Sequence, residues 1–172
     1  MSTSLEPTGD TPQPNQSITA ISSAPARASV ASDAPTSPHP LGEFAAAIGL
    51  EVEPASEHAY GQAVCGSIPV VGNRQPFLIL NGGASAAVAE TLGSWAAALD
   101  HPGYAAVGVA LHTVHLRPAR TGHVHGRAAL VSSDGTTALY HIDLTDDAGA
   151  PTAHAELTVA LRPLDGASHP RS

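Results

Sequence analysis

Apolar residues recur at helical spacing in one long segment near the middle of the chain. The recurring positions are Ala84, Val88, Leu92, Trp95 and Leu99. The segment is also dense in Ala, the best helix former, so it predicts a helix over residues 81–100. Because the segment is apolar nearly all round, we expect this helix to be buried.

Strand-like runs surround this predicted helix. Four of them follow it, at Tyr104–Pro118, Gly122–Ser132, Thr136–Thr145 and Pro151–Pro163. Short turn segments separate these runs, which predicts an antiparallel meander. Before the long helix we expect a short helix over Leu41–Leu50, strands at Leu50–Glu53 and His58–Val64 with a turn between them, and mostly loop over residues 65–80. A sheet that wraps the long helix would bury it as its pattern demands.

The two ends of the chain differ in composition from this core. Residues 1–40 are rich in Ser, Thr, Pro and Ala and follow neither the helical nor the strand period. Such a segment cannot bury enough apolar surface to offset its ordering entropy. We therefore predict a disordered tail over 1–40, one domain over 41–164 and a flexible tail over 165–172. The total of 172 residues suits a single domain.

Charge and composition exclude several classes of function. The formal net charge is −8 and the chain has no Lys, so it lacks the basic face that nucleic-acid binding needs. No apolar run reaches the roughly 18–20 residues that span a bilayer, and the first residues do not resemble a secretory signal. We expect a cytoplasmic protein that binds neither nucleic acid nor membrane. The single Cys65 can form no internal disulfide, and the histidines lack metal-site spacing, so no metal or other cofactor is expected.

A continuous motif links the predicted helix to a known family. Residues 75–94 read Gln-Pro-Phe-Leu-Ile-Leu-Asn-Gly-Gly-Ala-Ser-Ala-Ala-Val-Ala-Glu-Thr-Leu-Gly-Ser. This stretch closely resembles the signature of hotdog-fold thioesterases of the phenylacetate-degradation type. It is most similar to the branch with the enterobactin-pathway proofreading thioesterase and the dihydroxynaphthoyl-CoA and hydroxybenzoyl-CoA thioesterases. Second matches follow at Val107–Val109 and His115–Pro118, and the resemblance covers residues 41–164.

The resemblance implies an α+β hotdog fold, in which an antiparallel sheet wraps one long central helix. It implies hydrolysis of aryl- or medium-chain acyl-CoA, in homodimers that pair into tetramers. By position, Glu90 is the general base or nucleophile, the backbone N–H of Gly82 binds the thioester oxygen, and Gln75 and Asn81 orient the thioester. The implied substrate-binding residues are Gly83, Ser94, His115 and Arg117.

Elementary chemistry is consistent with two of these roles, although for Gly82 the residues alone favour a plain glycine at a loop–helix junction, and for Glu90 they leave a solvated surface carboxylate as the alternative. The N–H groups at a helix start have no helical partner and carry the positive end of the dipole, and glycine lets a carbonyl approach closely. Glu90 is the only charged side chain between Arg74 and Asp100, and a carboxylate on a buried helix is costly unless it has a use or a partner. The spacing of Ser94 is equally compatible with a small packing residue, His115 with a structural histidine, and Arg117 with an exposed strand-end charge.

The spacing of the motif also bears on the oligomer. Gly83 and Glu90 are seven residues apart, which is roughly 10 Å of helix rise. A reacting carbonyl needs its partners within roughly 3–3.5 Å, so one helix cannot easily supply both groups. A composite site in a two-fold dimer can combine Gly82 of one subunit with Glu90 of the other.

The chain departs from the family pattern at a few positions. Asn81 stands where the family usually has His, and Leu78 where it has Gly; positions that are often Glu and Asn in the family are Ala110, His112 and Val114. An amide can donate a hydrogen bond but cannot carry a proton near pH 7. Two alternatives to hydrolysis therefore remain. One is a hotdog protein that binds an acyl-CoA or aromatic ligand without cleaving it, and the other is a hydratase or dehydratase of the same fold. The latter class usually has an Asp/His or His/Glu pair at the helix start, which Asn81 disfavours.

Overall fold

A computed structural model describes residues 41–53, 56–58 and 61–164. The predicted tails, 1–40 and 165–172, lie outside the described residues. The elements are α1 (Gly42–Ala47), β1 (Glu51–Val52), β2 (Ser56–His58), β3 (Gly61–Pro69), α2 (Gly82–Asp100), β4 (Tyr104–His115), β5 (His123–Ser133), β6 (Thr137–Asp146) and β7 (Pro151–Pro163). The predicted long helix and the four strands after it are confirmed, with ends that differ by up to three residues.

The strands form one antiparallel sheet in the order β1-β3-β5-β6-β7-β4, and β2 pairs with β3. The predicted meander is correct for β5, β6 and β7 but wrong for β4, which pairs with β7 at the edge of the sheet. The reason lies in the link between β4 and β5. The backbone of this link forms hydrogen bonds first with Thr152, then with Leu80 and finally with Val70. The link therefore crosses the end of the sheet and brings β5 beside β3.

The prediction of a loop after Val64 is wrong, because β3 continues to Pro69. Val64, Gly66 and Ile68 alternate on the buried face of this strand. Glycine at the middle position hides the period-two pattern, since it contributes no apolar side chain. Glycine is required here by packing, because a Cβ would lie 2.7 Å from the Glu51 carbonyl oxygen and 3.1 Å from Leu92 Cδ2.

Helix α2 packs against β3 and all four strands that follow it. Its buried residues are Ser85, Val88, Ala89, Leu92, Gly93, Ala96 and Ala97. The expectation of a buried helix is correct for this face and wrong for the opposite one, where Leu99 is 40% exposed. Two glycines allow the helix to lie close to the sheet. A Cβ on Gly126 would come within 2.7 Å of Leu92, and one on Gly93 within 2.6 Å of Leu157.

Candidate active site

The first turn of α2 begins with a side-chain cap. Asn81 has an extended backbone, and its Oδ1 accepts a hydrogen bond from the Gly83 N–H at 2.8 Å. Asn is among the preferred residues at this position because its oxygen satisfies a helix N–H that has no other partner. The Gly82 N–H, by contrast, donates to no acceptor within residues 41–53, 56–58 and 61–164. One donor at the positive end of the helix is therefore left for a ligand.

Gly82 lies in a cleft of about 390 Å³, which we call the Gly82 cleft. Its lining residues are Gln75, Ile79, Leu80, Gly82, Ser85, His115, Leu116, Arg117, Pro118, Ala119 and Thr152. His115 Nε2 lies 3.3 Å from the Gly82 carbonyl oxygen and can donate to it when that nitrogen carries a proton. A Cβ on Gly82 would lie 3.1 Å from the His115 ring, so the glycine leaves room in a tight space. Four predicted site residues, Gln75, Gly82, His115 and Arg117, thus line one cleft. Asn81 and Gly83, by contrast, line a separate depression.

A tight turn holds one wall of this cleft. The Leu78 N–H donates to the Gln75 carbonyl, and the Gln75 N–H donates to the Ile79 carbonyl, both at 2.9 Å. Leu78 has φ +58, and it is the only residue other than glycine with positive φ in the described part of the chain. This conformation favours glycine, the residue that the resemblance places at this position. In this chain a leucine adopts it.

Arg117 also lines the Gly82 cleft, but its charge already has a partner. Its Nη2 donates to Asp146 Oδ2 at 2.7 Å, and both side chains are partly exposed. Exposed ion pairs of this kind contribute little to stability, so the guanidinium can exchange partners readily. An anionic ligand in the cleft would compete with Asp146 for it.

Glu90 lies in a second depression, of about 400 Å³, which we call the Glu90 recess. It is lined by Leu41, Glu90, Thr91, Ser94 and Trp95. The Ser94 hydroxyl donates to Glu90 Oε1 at 3.4 Å, so these two predicted site residues do meet. The recess and the Gly82 cleft share no lining residue. Within one chain, Glu90 and Gly82 therefore open onto separate spaces.

Gly108 on β4 is a site feature that the sequence analysis did not identify. The carboxylate of Glu90 lies directly over it, and a Cβ at this position would overlap Oε1 and stand 2.9 Å from Cδ. The ladder between β4 and β7 shifts register between Gly108 and Ala110. A glycine inside a strand is a known sign of a bulge or of a close approach, and Val107-Gly-Val carried that signal.

No three His, Cys, Asp or Glu side chains converge on a metal-sized site in the described ranges. The ring centroids of His123 and His125 lie 6.3 Å apart, and His125 Nε2 pairs instead with Asp147 Oδ1 at 2.8 Å. That pairing and the His123 backbone N–H hold the pKa of the Asp147 carboxyl below its usual value. Neither helix of the described chain has both the length and the apolarity required to cross a membrane.

Comparison with known proteins places these features in a family. The profile of the thioesterase superfamily matches residues 77–153. The protein PA1618 of Pseudomonas aeruginosa is 40% identical over 108 residues, which are 61% of this chain and 74% of that protein. The crystal structure of a PA1618 mutant, described as a thioesterase, matches with a TM-score of 0.65 at 34% identity and covers 70% of this chain and 86% of that one.

Two further relatives belong to the branch that the motif indicated. The proofreading thioesterase EntH of Klebsiella pneumoniae is 38% identical over 88 residues, which are 51% of this chain and 64% of that protein. The 1,4-dihydroxy-2-naphthoyl-CoA hydrolase of Escherichia coli is 32% identical over 107 residues, which are 61% of this chain and 79% of that protein. The predicted family, the hotdog fold and the enzyme class of thioester hydrolase are confirmed. With this sheet, this helix and these relatives, the chain belongs to the thioesterase superfamily.

Proposed function

We propose that this protein hydrolyses aryl- or medium-chain acyl-CoA thioesters in a site shared by two subunits. The observation that carries the proposal is the separation of the Gly82 cleft from the Glu90 recess. The motif contains both an oxyanion donor and a carboxylate, and a single chain directs them into different spaces. The names of two relatives, a proofreading thioesterase and an aroyl-CoA hydrolase, support the choice of substrate.

In the Gly82 cleft, the thioester carbonyl oxygen accepts a hydrogen bond from the Gly82 N–H. The donor belongs to the first turn of α2, so the helix dipole adds to the stabilisation of negative charge on that oxygen. A single preorganised donor of this kind contributes about 10²–10³-fold to the rate. Gln75 lines the same cleft and can donate a second hydrogen bond. Asn81 fixes the first turn through its bond to the Gly83 N–H, and it lines a separate depression together with Gly83.

In the Glu90 recess, the carboxylate activates a water molecule. The water oxygen bonds to the carbonyl carbon while its proton passes to Glu90. The C–S bond then breaks as the tetrahedral intermediate collapses, and the thiolate of coenzyme A takes up the proton that Glu90 holds. Ser94 orients the carboxylate through its hydrogen bond to Oε1. A direct attack by Glu90, with an anhydride intermediate that water opens, uses the same groups.

The edge of the sheet offers a means of joining the two halves of the site. Strand β4 is the last strand of the sheet, and its outer edge pairs with no strand in the described part of the chain. Val107 and Val109 on this strand are 51% and 59% exposed. An unpaired, apolar edge is a ready template for another strand. A two-fold pairing of β4 with its copy would cover it.

Such a pairing has a register that suits the proposed site. In an antiparallel two-fold pair in which His112 stands opposite its own copy, the extra residue Val109 brings Gly108 opposite the partner subunit's His115. His115 lines the Gly82 cleft and Gly108 lies under Glu90. The oxyanion donor of one subunit thus approaches the carboxylate of the other. The pairing of dimers into tetramers and the cytoplasmic location remain predictions.

One observation favours a second candidate, a hotdog protein that binds acyl-CoA without hydrolysis. Asn81 replaces the family histidine, and its Oδ1 is engaged as a helix cap. A cap holds the helix start but cannot supply a proton to the departing thiolate. Turnover separates the two candidates.

The first test is release of free thiol from a panel of benzoyl-, hydroxybenzoyl- and medium-chain acyl-CoAs. We expect turnover by the wild type and a loss of at least about a hundredfold in Glu90→Gln, since general base catalysis contributes that much. Glu156→Gln is the matched control, because Glu156 is exposed on β7 and lines neither depression. Absence of thiol release from every substrate would overturn the proposal in favour of a binding protein.

The shared site has a separate test by subunit mixing. Gly82→Val fills the cleft against His115, and Glu90→Gln removes the base, so each variant alone is expected to be inactive. After unfolding and refolding together, half of the dimers contain one of each and carry one intact site. About a quarter of the wild-type activity should then return. A mixture as inactive as its components would assign both groups to one subunit.

A further inference from the structure

We propose that Gly108 is a positioning residue for Glu90, in that its missing side chain creates the space that holds the carboxylate in its reactive orientation. The catalytic consequence rests on the proposed function, while the contact itself does not. Of the atoms nearest to a Cβ built at this position, the three closest are Oε1, Cδ and Oε2 of Glu90. The carboxyl group therefore lies over the backbone of β4, where any other residue would exclude it.

The glycine is required here for space and not for backbone conformation. Gly103, Gly135 and Gly149 have positive φ and nothing within 4 Å of a built Cβ, so they are turn glycines. Gly108 is not among the glycines with positive φ, and its neighbour is a functional carboxylate. Alanine is thus compatible with its backbone and conflicts only with Glu90.

The local irregularity of the strand supports the same conclusion. The register of β4 against β7 shifts between Gly108 and Ala110, so Val109 is an extra residue in the ladder. Bulges change the direction of a strand and are frequent beside active sites. A glycine within a strand also weakens it, which makes its presence at this point costly unless it serves the site.

The second contact of Glu90 limits where the carboxylate can go if it is displaced. Ser94 donates to Oε1 from the next turn of the same helix, and α2 itself is fixed by the close approach of Gly93 to Leu157. A Cβ at position 108 therefore moves the carboxylate by about an ångström rather than moving the helix. A misplacement of about 1 Å is enough to reduce a rate by up to about a hundredfold.

The kinetic experiment measures kcat and KM of the full-length protein with benzoyl-CoA for wild type, Gly108→Ala, Glu90→Asp and the double variant. We expect Gly108→Ala to lower kcat by about ten- to a hundredfold with KM changed less than about twofold. Asp is one methylene shorter and withdraws from β4, so Gly108→Ala should have no further effect in the Glu90→Asp background. Wild-type kcat in Gly108→Ala, a rise in KM alone, or an equal loss in both backgrounds would overturn the proposal.

A second readout does not depend on catalysis. The urea midpoint of unfolding should fall on Gly108→Ala when Glu90 is present and should not fall in the Glu90→Ala background, since the overlap is then gone. An equal fall in both backgrounds would mean that the glycine serves the strand and not Glu90. If the wild type releases no thiol, the proposed function fails, whereas these midpoints still decide whether Gly108 accommodates Glu90.

Discussion

The turn at Leu78 can be tested by whether glycine is more or less stable than alanine at this position. Leu78 has φ +58, a conformation that is unfavourable for any residue with a Cβ by roughly 1–2 kcal/mol. Its neighbour Phe77 has no positive φ. Leu78 is 64% exposed and Phe77 is 77% exposed, so truncating either side chain changes little buried surface. The proposed comparison is alanine against glycine at each of the two positions.

The magnitude follows from the single methyl group that separates alanine from glycine. At an ordinary position such as 77, the change from Ala to Gly destabilises by about 0.5–1 kcal/mol because glycine has more freedom in the unfolded chain. At position 78 the same change also removes the roughly 1–2 kcal/mol of left-handed strain. Leu78→Gly should therefore be more stable than Leu78→Ala by about 0.5–1 kcal/mol, whereas Phe77→Gly should be less stable than Phe77→Ala.

Urea unfolding followed by tryptophan fluorescence measures the four variants. Trp95 is the only tryptophan, and it packs from α2 against the core, so its emission reports loss of the tertiary structure. All proteins are compared at one concentration, because association stabilises the folded state by mass action. If Gly is less stable than Ala at both positions, Leu78 does not hold the left-handed conformation and the account of this turn is wrong.

Two other predictions concern the packing of the helix and the single thiol. Gly93→Ala should destabilise the folded protein by about 1 kcal/mol, because a Cβ only 2.6 Å from Leu157 overpacks the core by more than the gain in helix propensity offsets. A urea midpoint at or above that of the wild type would contradict this. Burial and, secondarily, the charge of Glu53 raise the pKa of the Cys65 thiol. At pH 8 it should react with a disulfide reagent more slowly than glutathione does and speed up in urea, and equal rates in the folded protein and glutathione would refute the assignment.

Prediction from the sequence succeeded where the signal is local. Helix α2 was expected over 81–100 and spans Gly82–Asp100, because alanine density and apolar spacing act within a few turns. Strands β5, β6 and β7 were located to within one residue for the same reason, since alternation and turn residues both lie in the local segment. The end of β3 was missed because Gly66 interrupts that alternation.

The candidate site divides in the same way. The motif and its resemblance named Gln75, Gly82, His115 and Arg117, and the fold brings these four into one cleft. The composite site was inferred from helix rise alone and stays a prediction; within one chain, Glu90 lines the separate recess. The role of Asn81 was interpreted as a contact to substrate, whereas its observed contact is the cap on Gly83.

What the sequence by itself determined is therefore the inventory of elements, the family motif and the types of chemistry that its residues can perform. Only the tertiary structure decided that β4 leaves the meander for the edge beside β7, and that Gly108 lies beneath Glu90. The physical reason is that periodicity and propensity arise from neighbours along the chain. Strand order and the fit of a carboxylate over a glycine depend on distant segments, whose contacts form only when the whole core packs.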